Sequence, residues 1–228
     1  MQVLGGGLGG RPLRVPPGGG TRPTSGLVRG ALFAALEARR AGLSGARVLD
    51  LFAGSGAMGI EALSRGAAFA CFVETDRRAL ATIRGNLESL DLLPRSQVVR
   101  ARVEDVLRPG RTAGGPLGGG FRLIVADPPY ALGGERVLGL LGRDAGLELG
   151  GLCALEHSAR EELPHRSGTL VRVWWRVHGG TALSVYARDP GVGAVSGARD
   201  AGAGETRAGI RRRDEGPQAR PIRDDGQR

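Results

Sequence analysis

The spacing of apolar and polar residues predicts an alternation of strands and helices between residues 27 and 158. Short apolar runs predict five strands, with the sequences "ARVLDLF", "ACFVE", "QVVRA", "FRLIVA" and "GGLCALEHS". Apolar residues at helical spacing predict helices at Leu27–Arg39, Met58–Arg65, Arg77–Leu90 and Arg136–Leu141. Because strands that alternate with helices are joined by right-handed crossovers, the pattern indicates an α/β fold with a mostly parallel sheet.

Composition divides the chain into three parts. Residues 1–25 are rich in Gly, Pro and Arg and predict a basic amino-terminal arm, either extended or folded as a short hairpin. Residues 26–188 predict one domain that ends with "TLVRVWWRV" and "TALSVYAR", and the "HGG" between these runs indicates an antiparallel hairpin. Residues 189–228 have almost nothing to bury and are expected to be disordered, and residues 110–120 are expected to be a flexible insertion.

Positive charge is concentrated at the amino end. The chain has 228 residues and a net charge of +9, and all 32 of its basic residues are Arg. Residues 1–40 hold six Arg and one Glu, so their net charge is six minus one, +5. A concentration of this kind suggests a polyanionic partner.

The cysteines, histidines and hydropathy of the chain argue against a disulfide-bonded, a metal-binding and a membrane-spanning protein. Cys71 and Cys153 lie in apolar runs, so we expect two buried thiols rather than a disulfide. His157, His165 and His178 do not have the spacing of metal ligands. No apolar stretch reaches the roughly 18 residues of a membrane span, and no signal peptide opens the chain. We therefore expect a cytoplasmic protein without a metal ion.

A glycine-rich segment after the first strand, "LDLFAGSGAMGIEAL", indicates a nucleotide-type cofactor. Gly54, Gly56 and Gly59 form a GxGxxG pattern, and Glu74 ends the next strand, where it is placed to bind ribose hydroxyls. Asp50 stands at the mouth of this loop. It would repel a pyrophosphate by about 4 kcal/mol per charge, but it would attract an ammonium or a sulfonium group. S-Adenosylmethionine carries both cations and no phosphate, so the sequence favours it over a dinucleotide.

The stretch "VADPPY" ends the fourth strand and indicates the chemistry. In a parallel sheet, ligands bind beyond the carboxyl ends of the strands, so Asp127 faces the same side as the glycines. Its carboxylate and the Pro128 carbonyl can accept hydrogen bonds from an exocyclic amine, and Pro129 stiffens the turn. Tyr130 can stack on a flipped base, which is worth roughly 1–3 kcal/mol. Asp105, after the third strand, is placed to accept from the adenine amino group of a cofactor.

These motifs resemble a known family. "DPPY" together with "DLFAGSGAMGIEALSRGA" looks like the amino-methylating class of S-adenosyl-L-methionine-dependent methyltransferases. "GTRPTSGLVRGALF", "FVETDRRALATIRGNLESL" and "GGTALSVY" resemble the RsmD family of bacterial 16S ribosomal RNA guanine-N2 methyltransferases, over about residues 1–186. The resemblance implies a Rossmann-like seven-stranded sheet and methyl transfer to the exocyclic N2 of a guanine in 16S rRNA. The implied partner is 16S rRNA or the assembling small ribosomal subunit, and a monomer is expected.

The same resemblance assigns roles to individual residues. The cofactor positions are Asp50, Phe52, Gly54, Ser55, Gly56, Glu74 and Asp105. The catalytic motif is Asp127, Pro128, Pro129 and Tyr130. The positions expected to face RNA are Arg11, Arg22, Thr24 and Arg29.

Three other interpretations stay open at this point. Amine methyltransferases of DNA or of protein glutamine use the same four-residue motif, but the amino-terminal resemblance and the absence of a target-recognition domain count against them. A non-catalytic RNA-binding protein that keeps only the fold would not need acids at Asp50, Glu74 and Asp127. A nicotinamide oxidoreductase is disfavoured by Asp50, for the electrostatic reason given above.

Overall fold

The computed structural model describes residues 1–17, 26–38, 42–108, 117, 120–143 and 146–189. The predicted tail, residues 189–228, lies outside this part of the chain except for Asp189, as do nine of the eleven residues of the predicted insertion at 110–120. Leu117, within the insertion, is buried. Its carbonyl oxygen accepts a hydrogen bond from the Arg47 guanidinium at 2.9 Å, so the insertion packs against the domain at this residue.

Within the described residues, eight strands form a single mixed sheet. They are β1 (Arg47–Leu51), β2 (Phe69–Glu74), β3 (Ser96–Arg100), β4 (Phe121–Ala126), β5 (Leu147–Ser158), β6 (Arg166–Ser167), β7 (Leu170–His178) and β8 (Thr181–Arg188). The order across the sheet is β3-β2-β1-β4-β5-β8-β7-β6. The strands β1 to β5 pair in parallel, and the pairs formed by β6, β7 and β8 are antiparallel. The predicted fold class is confirmed with one correction, because the two-residue strand β6 is an eighth strand where seven were implied.

Five α-helices lie in the same part of the chain. They are α1 (Gly26–Ala38), α2 (Ala57–Ser64), α3 (Arg77–Ser89), α4 (Val103–Val106) and α5 (Gly134–Leu141). The four predicted helices are confirmed, and their ends lie within two residues of the predicted ones. The helix α3 begins where it does because the Asp76 side chain accepts from the backbone N–H groups of Arg78 and Ala79, at 2.8 and 2.9 Å. The helix α4 was not predicted, because a single turn leaves no periodicity to detect.

The central part of the sheet is covered on both faces, which explains why β1, β2 and β4 appear as mainly apolar runs. On one face, Val48 of β1 belongs to a hydrophobic cluster that includes Phe33 of α1 and residues of α2 and α3. On the other face, Leu49 of β1 belongs to a cluster with Val137 and other residues of α4 and α5. The carboxyl ends of the parallel strands are the edge left for a site.

Both cysteines are core residues, as predicted. Cys71 and Cys153 are buried and free, and burial raises the pKa of each thiol to about 12. Neither thiol is therefore ionised at neutral pH, and neither is a ready nucleophile. No helix among the described residues is long and apolar enough to cross a membrane.

The amino-terminal residues form a hairpin, called here the arm hairpin (residues 1–13). The backbone N–H of Val3 donates to the carbonyl of Arg11 at 3.0 Å, and that of Gly10 donates to the carbonyl of Val3 at 2.9 Å. The N–H of Leu13 donates to the carbonyl of Met1 at 2.8 Å. Val3 and Leu13 are buried, so the hairpin packs on the domain instead of projecting into solvent.

A buried carboxylate in α2, Glu61, fixes the arm hairpin to the domain. Its two oxygens accept from the backbone N–H groups of Leu4 and Gly5, at 2.7 and 2.9 Å, and the residue is fully buried. The guanidinium groups of Arg29 and Arg65 lie 3.5 and 2.8 Å from these oxygens. A buried charge is tolerated only when it is paired and hydrogen-bonded, so the arm hairpin, α1 and α2 share one polar network.

Candidate active site at the carboxyl ends of the parallel strands

The loop between β1 and α2, called here the glycine loop (residues 52–56), makes a tight turn. Gly54 and Gly56 have φ angles of 55° and 78°, in the left-handed region that glycine adopts without steric cost. Phe52 has a φ of 58°, which is unusual for a bulky residue and indicates that the surrounding structure holds it there. The loop is therefore a constrained segment that brings backbone atoms to the end of β1.

Glu74, at the end of β2, holds the glycine loop from one side. Its Oε2 atom accepts from the N–H of Gly54 at 2.9 Å. Its Oε1 atom accepts from the N–H groups of Thr75 and Asp76, at 2.6 and 2.9 Å. The carboxylate thus lies beside the loop, where a ribose hydroxyl was predicted to bind, and it ties the ends of β1 and β2 together.

Asp50, in β1, lies beneath the first turn of α2. It is only 3% exposed, and its Oδ2 atom accepts from the N–H of Gly59 at 2.8 Å. A Cβ atom at Gly59 would lie 2.4 Å from a ring atom of Phe72 and 3.2 Å from the same Oδ2 atom. The third glycine of the GxGxxG pattern therefore serves the close packing of α2 on the sheet, a use that the sequence alone does not separate from ligand binding.

The environment of Asp50 favours its protonated form. Its pKa is raised from 3.8 to about 8, chiefly by burial, and the hydrogen bond from Gly59 opposes this shift. The charges of Asp127 and Glu74 raise the pKa further. Three predicted carboxylates are therefore close enough to interact, and a cation placed among them would relieve both the burial of charge and the mutual repulsion.

The Asp-Pro-Pro-Tyr segment follows β4 directly. Asp127 is half-buried, Pro128 is buried, and Pro129 is exposed. Tyr130 is 53% exposed, and its hydroxyl lies 2.9 Å from the Thr181 hydroxyl at the start of β8. The segment therefore offers a carboxylate that interacts with Asp50 and an accessible aromatic ring that is anchored at its far end.

Asp105 is placed differently from the other predicted cofactor residues. It lies in α4, after β3, and its carboxylate forms an ion pair with Arg108 at 2.9 Å. A cofactor that contacted this carboxylate would share it with the arginine. The contact with an adenine amino group stays a prediction.

Of the four positions predicted to face RNA, Arg11 and Arg29 lie within the described residues. Arg11, in the arm hairpin, donates to the Ser89 carbonyl at 3.1 Å, in an exposed contact. Arg22 and Thr24 lie outside the described residues. Their role, like that of Arg11, stays a prediction.

Arg29 requires a correction. It is 1% exposed, and its guanidinium lies against Glu61. It also donates to the carbonyl of Gln2 and, at 3.1 Å, to the sulfur of Met1. Arg29 is therefore the buried counter-charge of Glu61 and a clamp for the arm hairpin, and its side chain is not available to a polyanion in this structure.

Two polar residues at the site were not assigned a role from the sequence. Asn86 of α3 is buried, and its side chain contacts the glycine loop at the Ser55 carbonyl, 3.0 Å away. Its position on the apolar face of α3, beside Ile83 and Leu87, is a signal that the sequence did contain. The contact of Thr181 with Tyr130 depends on the strand order and had no local signal.

Comparisons with known proteins give matches over most of the chain. The profile of a family described as "Conserved hypothetical protein 95" matches residues 1–187. "Putative rRNA methyltransferase YlbH" of Bacillus subtilis (strain 168) is 37% identical over 187 residues, which cover 82% of this chain and 98% of that protein. "Ribosomal RNA small subunit methyltransferase D" of Escherichia coli (strain K12) is 32% identical over 195 residues, which cover 83% of this chain and 90% of that protein.

A solved structure supports the same likeness. A hypothetical protein of Thermus thermophilus superposes with a TM-score of 0.68 at 34% sequence identity. The superposition covers 81% of this chain and 98% of that one. The similarity therefore extends through the arm hairpin and the whole sheet and is not confined to the glycine loop.

Proposed function

The chain belongs to the RsmD family, whose profile is the one described as "Conserved hypothetical protein 95", and from that premise we propose that it is an S-adenosylmethionine-dependent rRNA methyltransferase. We further propose that it methylates the exocyclic N2 of a guanine in 16S rRNA, either naked or in the assembling small subunit. The observation that carries the proposal is the grouping of Asp50 with Glu74 and Asp127 at the carboxyl ends of β1, β2 and β4, where the charges of Glu74 and Asp127 both raise the pKa of Asp50.

The residues at the site suit a cationic cofactor and not a phosphate-bearing one. A phosphate near Asp50 would add to the repulsion among the three acids, by about 4 kcal/mol for each charge at 4 Å. The ammonium and sulfonium groups of S-adenosylmethionine would instead be attracted, and the bound cofactor supplies an electrophilic methyl group. Asp50 and the glycine loop would hold its charged end, and Glu74 would accept from its ribose hydroxyls.

Asp127 and Tyr130 would prepare the acceptor nitrogen. The lone pair of an exocyclic amine is delocalised into the ring, which makes the amine a poor nucleophile. The Asp127 carboxylate would accept one N–H hydrogen bond, orient the lone pair towards the methyl donor and receive the proton that the nitrogen loses. The exposed ring of Tyr130 would stack on the flipped base, and Thr181 would fix the position of that ring.

The amino-terminal arm would supply part of the RNA affinity. Residues 1–25 hold three Arg and no acid, which supports this role, and Arg11, Arg22 and Thr24 are the proposed contacts. Arg29 is not among them, because it is buried against Glu61.

Methyl transfer can be tested directly on the proposed substrate. Small subunits from a bacterial strain without its own family member would be incubated with the protein and methyl-labelled S-adenosylmethionine. The expected product is a single labelled N2-methylguanosine in 16S rRNA. Label on an adenine, on DNA or on protein would overturn the proposal, and naked 16S rRNA in parallel would identify the preferred form of substrate.

Donor binding is expected to depend on pH through Asp50. The folded pKa of Asp50, about 8, lies above the ordinary 3.8. The contribution of Asp50 to the stability of the unliganded fold is therefore fully present below about pH 4 and is lost progressively as the pH rises to about 8. A cationic donor favours the ionised form, so binding should release a proton. The Kd should fall by up to about tenfold per pH unit between pH 6 and 8 and level off above pH 8.

Calorimetric titration with S-adenosylmethionine at pH 6, 7, 8 and 9 measures this dependence. Asp50→Asn is the matched control, because it keeps the shape of the side chain but cannot ionise. The difference between the two curves removes the titration of the donor's own amino group. Parallel curves for the native chain and the variant would contradict the role given to Asp50.

A further inference from the structure

The side chain of Asn86 connects two segments that are far apart in sequence. Asn86 is 1% exposed. Its Oδ1 atom accepts from the backbone N–H of Arg14 at 2.8 Å, and its Nδ2 atom donates to the Arg14 carbonyl at 3.0 Å. The same Nδ2 atom donates to the Ser55 carbonyl at 3.0 Å. One amide group therefore holds the residue that follows the arm hairpin and a residue of the glycine loop.

The geometry of the amide makes these contacts interdependent. A carboxamide is planar, and two of the hydrogen bonds of the Asn86 side chain are made to the backbone N–H and C=O of one residue, Arg14, as a neighbouring β-strand would make them. A displacement of Arg14 therefore turns or frees the group that holds Ser55. Among the described residues, two side chains hold the glycine loop, Glu74 on Gly54 and Asn86 on Ser55, beside the backbone bond from the Ala53 N–H to the Val73 carbonyl. Only the second depends on the arm.

We infer that Asn86 is a positioning residue that couples the amino-terminal arm to the methyl-donor site. When the arm hairpin and Arg14 lie against α3, Asn86 holds the glycine loop in the geometry that binds the donor. Release of these residues weakens donor binding. By reciprocity, the bound donor favours the docked arm. The inference rests on the proposed function, because it treats the glycine loop as the donor site.

The hydrogen bond that the Arg14 backbone N–H donates to Asn86 can be removed without changing a buried side chain. Arg14→Pro eliminates the N–H that Asn86 accepts from, whereas Arg14→Ala keeps the backbone and removes only the side chain. Asn86→Ala removes the amide itself. We expect Arg14→Pro and Asn86→Ala each to raise the Kd for S-adenosylmethionine about 5- to 10-fold, within the usual range of coupling between sites, and Arg14→Ala to leave it unchanged.

The double variant distinguishes coupling from two separate defects. If both changes act through the same amide, the Arg14→Pro/Asn86→Ala protein should bind the donor no more weakly than Asn86→Ala alone. A Kd in the double variant that is raised by the product of the two single-variant factors would overturn the inference. So would native affinity in either single variant, even one with a lowered Tm, because a purely structural role destabilises the fold without altering the affinity of the folded protein.

Calorimetric titration well below the Tm of each variant measures these affinities in the full chain. If Asn86→Ala does not fold, the comparison of Arg14→Pro with Arg14→Ala decides the matter. A native chain that binds no donor at all would overturn the proposed function. A native chain that binds the donor, with variants that bind it equally well, would overturn only the coupling.

Discussion

Replacing Asp127 with alanine is expected to lower kcat for methyl transfer about 100- to 1,000-fold, the usual cost of removing one group that acts in the transition state. The donor Kd should change by less than about threefold, because the role proposed for Asp127 is towards the acceptor amine. The charge of Asp127 raises the pKa of Asp50, so its loss favours the ionised form of Asp50 and offsets part of the lost attraction for the cation. Single-turnover kinetics with saturating donor would measure kcat, and calorimetric titration would measure the Kd.

Two matched variants sharpen this test. Asp127→Asn keeps a carbonyl oxygen that can accept from the amine but cannot take up its proton, so its activity should lie between that of Asp127→Ala and that of the native chain. Asp50→Ala should show the opposite profile, with a raised donor Kd and a smaller effect on kcat at saturation. If Asp127→Ala and Asp50→Ala changed both quantities to the same extent, the division between donor site and acceptor site would be wrong.

Replacing Glu61 with alanine is expected to lower the free energy of unfolding by about 3–5 kcal/mol, the usual cost of leaving a buried charge without its partner. The change would strand the Arg29 guanidinium, which is 1% exposed, and the backbone N–H groups of Leu4 and Gly5. In a domain of this size a loss of 1 kcal/mol lowers Tm by about 2–4 °C, so the Tm should fall by at least about 6 °C. Urea titration and calorimetry measure the two quantities.

Glu37→Ala is the control for Glu61→Ala. Both acids pair with Arg65, but the Glu37 side chain is 66% exposed, so its removal should cost less than about 1 kcal/mol. Equal losses in the two variants would contradict the view that burial makes Glu61 important. Glu61→Ala should also release the arm hairpin, which would appear as faster amide exchange at Val3 and Leu13.

Much of the fold was predictable because the central strands β1, β2 and β4 are largely buried on both faces. These strands therefore appear as mainly apolar runs, and the carboxylates at or after their ends could be assigned to one edge. The structure agrees, since the charges of Asp127 and Glu74 both act on Asp50. The strand β6 and the helix α4 were missed because two and four residues carry no periodic signal.

The errors concern side chains whose partners are distant in sequence. Arg29 appeared to belong to a basic surface, because its charge was visible in the sequence and its partner Glu61, 32 residues later, was not recognisable as buried. Asn86 lies on an apolar helix face, but the two segments it contacts are 72 and 31 residues away. Such contacts are consequences of tertiary packing, and local pattern cannot supply them.

The docking of the arm hairpin has a consequence during translation. Among the residues that the structure describes, the domain side chains that hold the arm hairpin and Arg14 come later in the chain, namely Arg29, Glu61, Ser64 and Asn86. The arm hairpin and Arg14 are therefore made before the residues that hold them, and Arg14 reaches its native position only after about 70 further residues have been made. Meanwhile an arginine-bearing nascent segment is exposed beside ribosomal RNA, the class of molecule on which the finished enzyme is proposed to act.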